Sequence, residues 1–158
     1  VPARSASSRA RETKEAAVGQ CYNSVVVNAP VEKVWARIRD FHDLSWAEGM
    51  GLKVDAVGDR GSKIGAKRVI NGAFHETLVA FDEAARTFSY SIDDGPGPVA
   101  KDAVRNYRGT VRLLPVTADN ATFVEWTSDY ESPNEPAVSD FCNPIYQSAL
   151  KGLRQHFS

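Results

Sequence analysis

A chain of 158 residues with 42% hydrophobic residues is sized for one domain with its own core rather than for two. Lys and Arg total 19 against 20 Asp and Glu, and the formal net charge of -1 removes the electrostatic case for a nucleic-acid or polybasic membrane binder. Cys21 and Cys142 are the only cysteines and belong to no C-x-x-C or Cys/His cluster, so they support neither a zinc site nor a disulfide framework and fit a reducing, cytoplasmic setting.

Residues 1–17, VPARSASSRARETKEAA, hold almost no large apolar side chain and read as a disordered tail, an expression remnant or a processed end. Arg4, Arg9 and Arg11 among serines resemble a transit peptide faintly, and a solvated tail fits the composition better. Residues 18–158 are expected to form a single ligand-binding domain. CYNSVVVN, β-branched and uninterrupted, predicts a strand, and Pro30 then suits the first turn of a helix. Val31, Val34, Trp35 and Ile38 fall at i, i+3, i+4 and i+7, opposite Glu32, Lys33, Arg37 and Arg39. HDLSWAEGMG, with Gly49 and Gly51, predicts one further short helix before the chain turns back.

Six short strands are expected next: LKVDAV, AKRVI, FHETLVAF, RTFSYSI, VRNYRGTVRLLPV and ATFVEWTSDY. Asn71-Gly72 is the sharpest hairpin signal in the chain. Alternation gives each strand an inward face: Phe88, Tyr90 and Ile92; Tyr107, Val111 and Leu113; Val124, Trp126 and Tyr130. The last segment places Val138, Phe141, Ile145, Ala149, Leu153 and Phe157 at helical spacing, with Pro144 breaking or kinking it and Asn143 a candidate cap for the longer part. Strand, helix, short helix, a run of strands and a final amphipathic helix argue for an α+β fold with its helices on one side.

Several chemical motifs fail. His75-Glu76 has Val79 where a metalloprotease helix needs its second His, GDRGSKIGAK lacks phosphate-loop spacing, and no G-x-S-x-G elbow exists. Histidines at 42, 75 and 156 make no ligand spacing, so neither a metal nor a cofactor is expected.

The order of VVVNAPVEKVWARIRDF, the GAKRVING hairpin, ETLVAFDEAARTFSYSI with GPGPV and NY, and VEWTSDY before the last helix resembles the helix-grip superfamily. That superfamily includes START domains, the birch-pollen-allergen fold and polyketide cyclase/dehydratase-like proteins. The resemblance implies a seven-stranded curved antiparallel sheet wrapped around a long C-terminal helix, two short helices between the first two strands, and an internal cavity. Within the superfamily, the hairpin 66–72 and the strand 76–82 resemble those of plant lachrymatory factor synthases. This implies Arg68 and Glu76 as a catalytic pair, with Tyr90 and Tyr107 matching cavity tyrosines.

The residues alone leave the hairpin register open. A two-residue Asn-Gly turn sets Lys67 opposite Glu76 as an ordinary cross-strand ion pair. A three-residue loop or a bulge sets Arg68 opposite Glu76 inside the cavity. Phe88, Tyr90, Tyr107, Trp126, Phe141 and Ile145 are the expected ligand-binding residues, against a solid core built from the same aromatics. Two functions stand ahead of a surface interaction module, which no charge block supports. One is binding of a small hydrophobic molecule of lipid, polyketide or isoprenoid kind. The other is a cofactor-independent cyclase, dehydratase or isomerase using Glu76 as general acid/base with Arg68.

Overall fold

The computed structural model describes residues 17–158. Seven strands form one antiparallel sheet: β1 (Ala17–Val27), β2 (Val54–Val57), β3 (Lys67–Ile70), β4 (Phe74–Asp82), β5 (Thr87–Asp94), β6 (Arg105–Val116) and β7 (Ala121–Ser132). Helix α1 (Val31–Ile38) follows β1, and helix α2 (Glu135–His156) ends the fold. The order is β1-β7-β6-β5-β4-β3-β2, a meander from β2 to β7 with β1 added at the far edge. The tail expected over 1–17 lies outside the described residues apart from Ala17, the first residue of β1.

Alternation in the sequence becomes sidedness in the sheet. Phe88 and Tyr90 of β5, Tyr107, Val111 and Leu113 of β6, and Val124, Trp126 and Tyr130 of β7 are all buried, and one hydrophobic core gathers them with α1 and α2. Register shifts at His75/Glu76 and Leu78/Ala80 in β4, and between Arg105 and Arg108 in β6, interrupt the ladders; bulges of this kind bend a sheet. The α1 stripe buries Val34, Trp35 and Ile38 with Pro30 as N-cap. Trp35 packs on Phe81 at 5.5 Å between centroids and donates its indole N–H to Glu83.

α2 packs chiefly on β1 and turns Val138, Cys142, Tyr146, Ala149, Leu150 and Leu153 inward. Of the expected stripe, Val138, Ala149 and Leu153 are in this buried face. Phe141, Ile145 and Phe157 are only half-buried, beside the fully buried row. Pro144 does not break the helix, which runs continuously across it, and Asn143 is not a cap. Its side-chain oxygen instead accepts a 2.9 Å hydrogen bond from Asn23 of β1, tying helix to strand.

The short helix expected after Phe41 is absent, and residues 41–50 form successive turns. Asp40 accepts the His42 backbone N–H, and Asp43 accepts both the backbone N–H and the hydroxyl of Ser45. Such side-chain bonds compete with helical ones, and Gly49 and Gly51 at φ 83° and 60° complete the reversal. Gly152 lets α2 close onto this segment, since a Cβ there would stand 2.5 Å from the Glu48 nitrogen.

Among the described residues no helix is long and apolar enough to cross a membrane, and no three metal-donor side chains cluster.

Candidate functional site

The hairpin that decides the register has three loop residues: Ile70 pairs with Phe74 across Asn71, Gly72 and Ala73. Asn71 and Gly72 both take left-handed φ, 55° and 66°, which Asn and Gly tolerate best. Arg68 therefore faces Glu76, while Lys67 faces Thr77 on the outer side. Both members of the pair are buried, Arg68 at 2% and Glu76 at 5% exposure.

The pairing is one-sided. Arg68 Nε donates to Glu76 Oε1 at 2.8 Å, and Nη2 lies 2.7 Å from the same oxygen in the ion pair. Nη1 donates to the Phe41 carbonyl at 3.0 Å, and the guanidinium lies over the Phe41 ring at 3.8 Å and the Tyr90 ring at 5.3 Å. Burial pushes the Glu76 carboxyl above its ordinary value, with the Arg68 charge and hydrogen bonds pulling the other way.

A cavity of about 280 Å³ opens between the sheet and α2. Arg68, Glu76, Tyr90, Trp126 and Ile145 line it, together with Leu44, Ala47 and Met50 from the turn segment, Phe74 from β4, and Cys142 and Tyr146 from α2. Phe88, Tyr107 and Phe141 do not line it. Phe88 is held between Trp35 and Phe41, each 6.3 Å away between centroids, at the closed end of the sheet. The Tyr107 ring stacks flat on Tyr130 at 5.5 Å, and Phe141 stacks on Phe74 at 6.2 Å.

Tyr146 is the residue that the helical stripe missed. Its hydroxyl sits 3.0 Å from that of Tyr90 and is hydrogen-bonded to that of Tyr107, while Trp126 donates its indole N–H to Tyr90 at 2.9 Å. The Trp126 and Tyr146 rings stack at 4.6 Å. Burial raises all three tyrosine pKa values above the ordinary range, so the hydroxyls stay neutral, and it pushes the Cys142 thiol up to about 11. Its position four residues after Cys142 and four before Leu150 was a legible signal, since that row continues the buried face.

An antiparallel sheet packed on a long terminal helix, with an apolar cavity and a buried ion pair between them, defines a cavity-bearing protein of helix-grip type. The chain belongs to the family described as polyketide cyclase / dehydrase and lipid transport, whose model matches residues 20–158. No functionally curated protein matches it significantly. Among solved structures, a protein of Nitrosospira multiformis is 45% identical with a TM-score of 0.84, covering 88% of this chain and 96% of that one. A putative uncharacterized protein of Bacillus thuringiensis is 24% identical with a TM-score of 0.72, covering 88% and 98%. A Thermobifida fusca protein is 24% identical, also with a TM-score of 0.72, covering 87% and 92%. The last two matches speak to the fold alone. The closer likeness to lachrymatory factor synthases is not among what these matches show.

Proposed function

We propose that the protein binds one small hydrophobic molecule, of lipid, polyketide or isoprenoid kind, in the cavity between the sheet and α2. The observation that carries this reading is a space of about 280 Å³ with an almost wholly apolar wall and a single buried ion pair in it. A solid core would bury the same aromatics without leaving room, and ligand sites combine an apolar lining with a few placed polar groups. Native mass spectrometry of the purified protein is expected to show one small-molecule adduct per chain, or saturable one-to-one binding of an apolar fluorescent probe once the adduct is stripped. Absence of both contradicts the reading.

A second reading, a cofactor-independent cyclase, dehydratase or isomerase, is favoured by Glu76 itself. A desolvated carboxyl with a raised pKa and a neighbouring guanidinium is suited to accept and return a proton. In that reading Glu76 moves the proton, Arg68 holds the carboxylate in place, and Tyr90 and Tyr146 orient a substrate oxygen.

A further inference from the structure

Two hydrogen-bonding positions at the ion pair are left open toward the cavity. Arg68 places both of its Glu76 contacts on Oε1, so among the described residues Oε2 has no hydrogen-bond partner. It is not one of the sealed, unsatisfied atoms of the fold, which are Trp46 Nε1 and Ser128 Oγ, and Glu76 lines the cavity. Oε2 is thus an unpartnered acceptor on a residue of the cavity wall.

The second position is a proton. Trp126 can only donate, so the Tyr90 oxygen accepts from it. Two contacts join the three hydroxyls of Tyr90, Tyr146 and Tyr107, and each contact uses one O–H. One of the three O–H protons is left over. In two of the three ways of assigning donors it belongs to Tyr90 or Tyr146, which line the cavity; in the third it belongs to Tyr107, which does not, and which has Ser128 and Cys142 beside its hydroxyl as further acceptors. Leu78 pairs with Tyr90 and Glu76 with Ile92, so Tyr90 and Glu76 are diagonal neighbours on one inward face, with no hydrogen bond between them.

Arg68 is poorly placed to receive an anion. Two of its N–H groups already have acceptors, Nη2 lies against Glu76 Oε1, the guanidinium lies over the Phe41 and Tyr90 rings, and the negative charge of Glu76 is beside it. A ligand carboxylate entering here would meet a second carboxylate in a water-poor site.

We infer that the buried end of the ligand is a neutral hydroxyl, of an alcohol, phenol or enol, which donates to Glu76 Oε2 and accepts from a tyrosine O–H, and that carboxylate-ended molecules are rejected. This rests on the cavity reading above and narrows it to a chemical class. Glu76 and the hydrogen-bonded Tyr90–Tyr146 pair then determine specificity.

Calorimetric titration at pH 7 with naphthalene, 2-naphthol and 2-naphthoate tests it, because the three share one apolar body. The ligand-stripped protein is expected to bind 2-naphthol about 10-fold or more tighter than naphthalene, as a hydrogen bond to a buried charged acceptor provides, and 2-naphthoate more weakly than naphthalene. In Glu76→Gln, Arg68 retains the amide oxygen and the amide N–H group replaces Oε2, so 2-naphthol loses its advantage and 2-naphthoate gains. Tyr90→Phe keeps the ion pair and serves if Glu76→Gln folds poorly. It should reduce the ratio of 2-naphthol to naphthalene affinity several-fold. Naphthalene binding without a 2-naphthol preference, or 2-naphthoate binding as tightly as 2-naphthol, overturns the inference and leaves the cavity reading standing. Failure of all three to bind overturns both.

Discussion

Arg68 and Glu76 show how much depends on one rung of a ladder. One residue fewer in the loop, and the inward arginine would have faced a different partner, since a one-residue slip exchanges the faces of a strand. Loop length was not legible in Asn71-Gly72, because that dipeptide serves two-residue and longer turns alike. The residue types were legible, and so was the choice they framed. Burial of the pair has a pH signature. The folded-state carboxyl of Glu76 lies above its ordinary value of 4.5, so the folded protein holds this proton more tightly than the unfolded chain. Stability is therefore expected to fall as pH rises from the ordinary carboxylate range through the raised folded value. Urea unfolding followed across that range should show this downward slope in the native protein and lose it in Glu76→Gln. The variant should also be less stable by about 3–5 kcal/mol above the transition, because Arg68 is left buried without its counter-charge. Equal slopes in the two proteins would show that Glu76 is not the titrating group. Asp43 and Glu83, held below their ordinary values, act in the opposite sense at lower pH and do so in both proteins.

Strands and helices carry these side chains into place through close approaches that the sequence marks only as glycines. Gly109 of β6 pairs with Tyr90 of β5, and a Cβ on Gly109 would fall on the Tyr90 ring and hydroxyl. The absent side chain is what lets the Tyr90 ring lie across the neighbouring strand and meet Trp126 and Tyr146. Gly109→Ala is expected to lower stability by about 1–3 kcal/mol, the usual result of overfilling a packed site. It should also abolish binding of an apolar probe by pushing the ring into the cavity, as thermal melts and a probe titration would reveal. A variant that melts and binds like the parent would contradict the close packing described. The strands themselves were legible because alternation and β-branching agree over most of their length. Two helical features were not. Asp40 and Asp43 turn the 41–50 segment away from a helix through local side-chain bonds that periodicity does not register. In α2 the half-buried Phe141 and Ile145 and the buried Cys142 and Tyr146 lie one step apart around the axis, so hydrophobicity alone finds Val138, Ala149 and Leu153 of the buried face but not Cys142 and Tyr146.

In the whole molecule, the sheet keeps its two ends different. At one end Trp35, Phe41, Phe81 and Phe88 pack into one another, and none of the four lines the cavity. At the other, the turn segment, the β3–β4 hairpin and α2 stand apart around the cavity. Two of the three tryptophans sample this difference. Trp126 lines the cavity with its indole N–H bonded to Tyr90, whereas the Trp35 indole N–H is bonded to Glu83. The most direct test that this cavity is where a ligand goes is a titration of 15N-labelled protein with 2-naphthol or naphthalene, following the indole N–H signals after assignment. The Trp126 signal is expected to shift and saturate at one equivalent while that of Trp35 stays in place. A saturating shift at Trp35 with Trp126 unmoved, or no shift at either, would contradict the account.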